Sequence, residues 1–206
     1  MKKYKVAIVG ATGAVGREML RCVFQFNFPF ESIKLLASKR SAGKVVEFEG
    51  HEFVVEELTE NSFEGVEVAF WSAGGSISEK FMPYAVQAGC VNIDNTSHFR
   101  MDPEVPLVVP EVNPEEIQNN HGIIANPNCS TIQAVVALKP LDDNFKIKRI
   151  VYSTYQAVSG AGKLGLEDLE NGRKNLDKSL VKFPHPIYDN CLPHIDVFLL
   201  NRYTKE

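Results

Sequence analysis

Apolar residues come in short blocks divided by glycine, asparagine and proline, and the blocks alternate between strand-like and helix-like spacing. Residues 4–9 read as a strand, and 14–26 as a helix with Met19, Leu20, Val23 and Phe24 on one face. A second strand follows at 32–37, then a hairpin over 45–55 that turns near Gly50. Residues 67–71 predict a strand and 76–88 a helix that ends at Gly89, where glycine accepts a left-handed cap. Short strands are expected at 91–94, 107–109 and 123–124, and a helix over 131–138. The stretch 148–156 is long and rich in β-formers, and it is expected to open a second sheet. A glycine-rich turn, a helix near 166–177 and a Pro/His-rich segment at 183–194 complete the chain. This alternation predicts parallel βαβ units.

The bulk properties narrow the function. A chain of 206 residues, 44% of them hydrophobic, can bury a core as one large domain or as one domain and part of another. The net charge of −4, without a run of Lys or Arg, argues against nucleic acid or an anionic membrane as partner. No apolar run is long enough to span a bilayer, and the N-terminus enters a strand without a signal-peptide core. Cys22, Cys90, Cys129 and Cys191 are widely spaced and lack a CxxC pattern, so neither a metal site nor a disulfide framework is expected. A reducing, cytoplasmic setting fits them.

Two motifs carry chemistry. The first is Gly10-Ala11-Thr12-Gly13-Ala14-Val15-Gly16, between the first strand and the first helix. Gly10 permits the sharp turn, Gly13 lets the backbone approach a pyrophosphate, and Gly16 lets the helix lie close to the sheet. The helix N-terminus would hold the pyrophosphate. At the end of the second strand, a fold that binds NAD usually places an acid for the ribose 2′-hydroxyl. This chain has Ser38-Lys39-Arg40-Ser41 there, and Arg40 with Ser41 suits a 2′-phosphate, so NADP is expected. The expected fold is α/β, with a Rossmann-like dinucleotide-binding domain at the N-terminus.

The second motif is Asn126-Pro127-Asn128-Cys129-Ser130-Thr131, a strand-to-helix junction. A thiol in the first turn of a helix meets unpaired backbone N–H groups and the positive end of the helix dipole, which favour a thiolate. Its Asn, Ser and Thr neighbours argue against a buried apolar cysteine, and Cys129 is the candidate nucleophile.

With these motifs the chain resembles the aspartate-β-semialdehyde dehydrogenases. The likeness also runs through Ser72-Ala73-Gly74-Gly75-Ser76, Asp94 to Arg100, Asn126 to Gln133 and Tyr155 to Gly162. The resemblance implies attack of Cys129 on β-aspartyl phosphate, loss of phosphate, and reduction of the thioester by NADPH to the semialdehyde. It implies that Gln156 orients the substrate and that Arg100 holds the departing phosphate. It leaves Asn128 to donate to the phosphate or the oxyanion. Ser72, Ala73, Gly74, Ser159 and Gly160 would line the nicotinamide half of the site. Taken alone, Arg100 could instead pair with Asp102 on the surface.

The resemblance divides the chain into a nucleotide domain at 1–128 and the first part of an α+β catalytic and dimerisation domain at 129–206. The family's histidine, its substrate-carboxylate arginine and a phosphate-binding lysine would lie beyond Glu206, so the catalytic domain is expected to be incomplete. The family implies a homodimer or homotetramer. Two alternatives stand beside this reading. N-acetyl-γ-glutamyl-phosphate reductase shares the thioester chemistry, but its cysteine motif reads more like Asn-Pro-Gly-Cys-Tyr. A non-catalytic NADP-binding fragment is the other.

Overall fold

The computed structural model describes residues 2–175, 180–195 and 197–204. The chain forms two compact units, Met1–Val151 and Tyr152–Glu206. In the first, strands β1 (Tyr4–Val9), β2 (Phe30–Ala37), β3 (Val45–Phe48), β4 (His51–Glu57), β5 (Val68–Trp71), β6 (Val91–Asp94) and β7 (Ile123–Ala125) form one sheet, in the order β3-β4-β2-β1-β5-β6-β7. Every neighbouring pair is parallel except β3 with β4, so six C-terminal strand ends share one edge. Helices α1 (Ala14–Gln25), α2 (Gly75–Gln87) and α3 (Cys129–Phe145) follow β1, β5 and β7.

The core lies on both faces of the sheet. Ala7 and Val9 of β1 join Phe63, Trp71 and Met82 on one face, while Ile8 joins Leu20, Leu35 and Val55 on the other. Alternate residues of one strand thus face α2 and α1 in turn, which is why the strand is apolar throughout. The Trp71 ring stacks on Phe63, with centroids 5.2 Å apart, and its Nε1 donates to Asn92 Oδ1 at 2.9 Å. Asn92 in turn donates to the carbonyls of Cys90 and Gly122, so this fully buried amide is satisfied.

The predicted elements of this unit fall near their expected places, and the β3–β4 hairpin turns through Glu49 and Gly50, both at positive φ. Two expectations fail. Residues 107–109 form no strand; only Leu107 bridges to Ala125. The stretch 148–156 forms none either, and Ile150, Val151, Tyr152 and Tyr155 are exposed. β-formers become a strand only beside a partner, and no described segment makes a ladder with this one. The boundary expected at 128 falls one residue before α3, which lies inside the first compact unit.

The second unit is built on α4 (Gly162–Arg173), preceded by a short 3-10 turn at Val158–Ala161. The helix starts earlier than expected, and residues 176 and 177 of the expected span lie outside the described residues. Asp168 of α4 is buried, and its carboxylate accepts the backbone N–H groups of Val181, Lys182 and Phe183 at 2.9, 2.8 and 3.0 Å. Burial pushes this carboxyl up, but the three donors outweigh it and hold the group below the ordinary Asp value. Gly165 and Gly172 leave room on α4 for Phe183 and Tyr188, so the segment after the helix packs back along it.

Candidate active site

The order of strands sets the first crevice. From β1 the chain passes to β2 on one side and later returns to β5 on the other, so β1 and β5 flank a topological switch point. Gly10 closes β1 at φ +87°, and a Cβ there would stand 2.9 Å from the backbone nitrogen of Ala73. The loops at 10–13 and 72–75 therefore touch, and the sequence-predicted Gly10, Thr12, Gly13, Ala14 and Val15 follow β1 where Ser72, Ala73 and Gly74 follow the neighbouring β5. Gly16 packs on the carbonyl of Gly10 and lies 2.7 Å, at its notional Cβ, from Ala11 Cα. This brings α1 against the strand, as expected.

Gly13 and Gly74 stand at the N-cap positions of helices α1 and α2, with neither a side-chain cap nor an acidic residue in the first turn. Their leading N–H groups suit an anion spanning the crevice. Arg40 and Ser41 lie in a 3-10 turn just after β2, Arg40 exposed and Ser41 buried. Strand β4 places Glu56 and Glu57 opposite Leu36 and Ala37, acids that the reading of β2 alone did not weigh.

The second cluster lies two and three strands along the same edge. Cys129 is the first residue of α3 and is exposed. Asn128 caps the helix, its Oδ1 accepting from Ser130 N at 2.9 Å and Ser130 Oγ at 2.6 Å. Asn126 is bound from three sides. Its N–H donates to the Asp94 carbonyl at 2.8 Å, its Nδ2 donates to Asn95 Oδ1 at 2.7 Å, and its carbonyl accepts from Arg100 Nε at 2.9 Å. Arg100 Nη2 also donates to the Asn95 carbonyl at 3.1 Å. Arg100 is thus a strut between the loops after β6 and β7, a role absent from both readings of it by sequence.

Beneath this loop Asp94 is fully buried and accepts from Ser78 Oγ, Thr96 N and Thr96 Oγ1 at 3.1, 2.9 and 2.9 Å. Asp94, Thr96, Asn95 and Asn126 were not picked out by sequence as individual site residues. The available signal was the polar residue at every second place in Val91-Asn92-Ile93-Asp94, inside an otherwise apolar strand.

Gln156, half-buried, and Ser159 with Gly160, both exposed, belong to the second unit and sit in and just before the 3-10 turn. Among the histidines, His51 stacks on Phe53, His98 meets Phe99 edge-on and His194 stacks on Phe198.

Comparison with known proteins matches two stretches of the chain. Residues 5–120 match the NAD-binding domain of semialdehyde dehydrogenases, and 138–206 match the dimerisation domain of that family. The chain is 56% identical over 212 residues to an aspartate-semialdehyde dehydrogenase of Aquifex aeolicus, which covers 98% of this chain and 62% of the relative. It is 55% identical to one of Campylobacter jejuni, over 100% of this chain and 63% of the relative. The crystal structure of aspartate semialdehyde dehydrogenase II of Vibrio cholerae, complexed with ASA, superposes with a TM-score of 0.93 at 48% identity, over 100% of this chain and 63% of that one. The Candida albicans enzyme with NADP gives 0.61 at 29% identity, over 71% and 48%. The chain spans less than two thirds of the length of each of these relatives. On its glycine crevice, its capped cysteine and these matches, the chain belongs to the semialdehyde dehydrogenase family, among the aspartate-semialdehyde dehydrogenases.

Proposed function

We propose that the protein carrying this chain performs the NADP-dependent reductive dephosphorylation of β-aspartyl phosphate to aspartate semialdehyde. The observation that carries this reading is Cys129, exposed at the start of a capped helix on the sheet edge that holds the glycine crevice. The residues present fit the cofactor: Gly10 to Val15 and Ser72 to Gly74 leave two uncapped helix starts for its phosphates, and Arg40 with Ser41 suits a 2′-phosphate. NADPH, when bound, supplies the hydride that reduces a thioester.

The chain's own groups do the rest. The Cys129 thiolate attacks the acyl carbon, the acyl–oxygen bond breaks and phosphate leaves, so a thioester forms. After reduction, collapse of the thiohemiacetal returns the thiolate and frees the aldehyde. Arg100, fixed by two carbonyls, is assigned the departing phosphate. Asn128 is assigned to the phosphate or oxyanion through its amide nitrogen, since its oxygen caps α3. Gln156 is assigned to orienting the substrate, and Ser159 with Gly160 to the nicotinamide half.

We assign nucleotide binding to residues 1–128, and catalysis and self-association to 129–206. The match of 138–206 to a dimerisation domain supports a homodimer or homotetramer. A reducing compartment such as the cytoplasm would keep the thiol free. The test is NADP reduction with aspartate semialdehyde and phosphate, by residues 1–206 alone and after mixing with the remaining portion of a relative's chain. Turnover in neither case, or turnover with the N-acetyl-γ-glutamyl substrate alone, would refute the proposal.

A further inference from the structure

The loop that leads to Cys129, the first residue of α3, is held by an amide pair that has no role in the chemistry assigned so far. Asn95 follows β6 directly, and its backbone N–H donates to the Trp71 carbonyl at 3.0 Å, which ties it to the end of β5. Its side-chain oxygen takes Asn126 Nδ2 at 2.7 Å, across 31 positions of sequence. From Asn126 the path to the thiol is stiff. Pro127 is buried and has a fixed φ, and Asn128 is committed to capping α3. Few soft torsions therefore lie between the Asn95–Asn126 amide pair and Cys129, and a shift of the pair is passed on to the sulfur.

We propose that Asn95 is a positioning residue for the nucleophile: its Oδ1 sets Asn126, and through Pro127 and Asn128 it sets the place of the Cys129 sulfur at the start of α3. The inference rests on Cys129 being the nucleophile of the proposed reaction. Arg100, donating to Asn126 and Asn95 at once, braces the same joint from the main chain. Loss of the Asn95 acceptor also leaves Asn126 Nδ2 without this bond, so the loop has reason to move.

The test is brief iodoacetamide labelling of the folded, intact protein followed by peptide mapping. Cys191, exposed and in the other compact unit, is the internal standard. In Asn95→Ala the Cys129:Cys191 labelling ratio should fall at least about threefold, and kcat by about 10²-fold, with the KM for NADPH changed less than about twofold. Asn95→Asp keeps an acceptor oxygen and should restore the ratio. Should Asn95→Ala not fold, Asn126→Asp keeps the side-chain volume, replaces the donor with an acceptor, and carries the same expectation. An unchanged ratio in the folded variant, or failure of Asn95→Asp to rescue, overturns the proposal while the role of Cys129 stands. Equal labelling of Cys129 and Cys191 in the unsubstituted protein overturns that role, and this inference with it.

Discussion

Asp168→Ala removes one carboxylate and with it three hydrogen bonds that hold residues 181–183 to α4. A hydrogen bond to a charged group is worth about 1.5–3 kcal/mol, but Val181 and Lys182 are exposed, so their N–H groups regain water once released. Discounting for that leaves about 2 kcal/mol for the three together, which multiplies the open population of the segment by about 30. Trypsin reads this directly, because Lys182 lies within the held segment and is cut only when it opens. Where reclosing outpaces cleavage, the rate follows the open population, so cutting after Lys182 should rise about 30-fold in Asp168→Ala. The unsubstituted protein should show the same dependence in acid. The folded carboxyl lies below its ordinary value, so its contribution is complete above that value and disappears as pH falls through the lowered one. Hydrogen exchange at Val181, Lys182 and Phe183, corrected for intrinsic rates, should therefore lose protection only under strongly acid conditions. Cleavage of the variant within twofold of the parent would refute the reasoning, because the segment would then be held by its apolar contacts alone.

Cys129 should label fastest of the four cysteines with iodoacetamide at pH 7, and Cys90, buried and pushed up to about 12 by that burial, should label only after unfolding; equal rates in peptide mapping would contradict this. Arg40→Ala should weaken NADPH by about 1–3 kcal/mol and leave NADH nearly unchanged. Equal losses in a titration would remove the 2′-phosphate from Arg40 and turn attention to Glu56 and Glu57 across the ladder. Gly16→Ala puts a methyl into the Gly10 carbonyl and Ala11 Cα, and should cost about 1–3 kcal/mol or more in a denaturant melt. A melt within error of the parent would show that α1 can retreat from the strand.

The order of elements in the first unit was legible because each is short, strongly patterned and closed by a local signal, as at Gly10, Gly50 and Gly89. The helix start at Cys129 was legible for the same reason, since its cap, Asn128, is two residues from its own hydrogen-bond donor. Features that depend on distant chain were not. Asn95 and Asn126 meet only because β6 and β7 lie side by side in register, Asp94 opposite Ala125. Asp168 gives no signal in the sequence, since its partners are main-chain amides 13–15 residues away and leave no side-chain signature. The stretch 148–156 carries strand composition, but composition cannot supply a neighbour.

The two rims of the seven-stranded sheet differ in how they deal with the hydrogen-bonding groups that any outermost strand leaves over. At one rim β3 runs against β4 for only four residues, with charged Glu47 in the middle. At the other, the N–H and carbonyl of Ala125 in β7 are already taken, by the Pro106 carbonyl at 2.9 Å and the Val108 N–H at 2.9 Å. A stray strand from another molecule therefore finds a short, charged template on one side and an occupied one on the other. The irregular segment 106–108, which failed to become a strand of its own, thus serves as a guard against edge-to-edge aggregation.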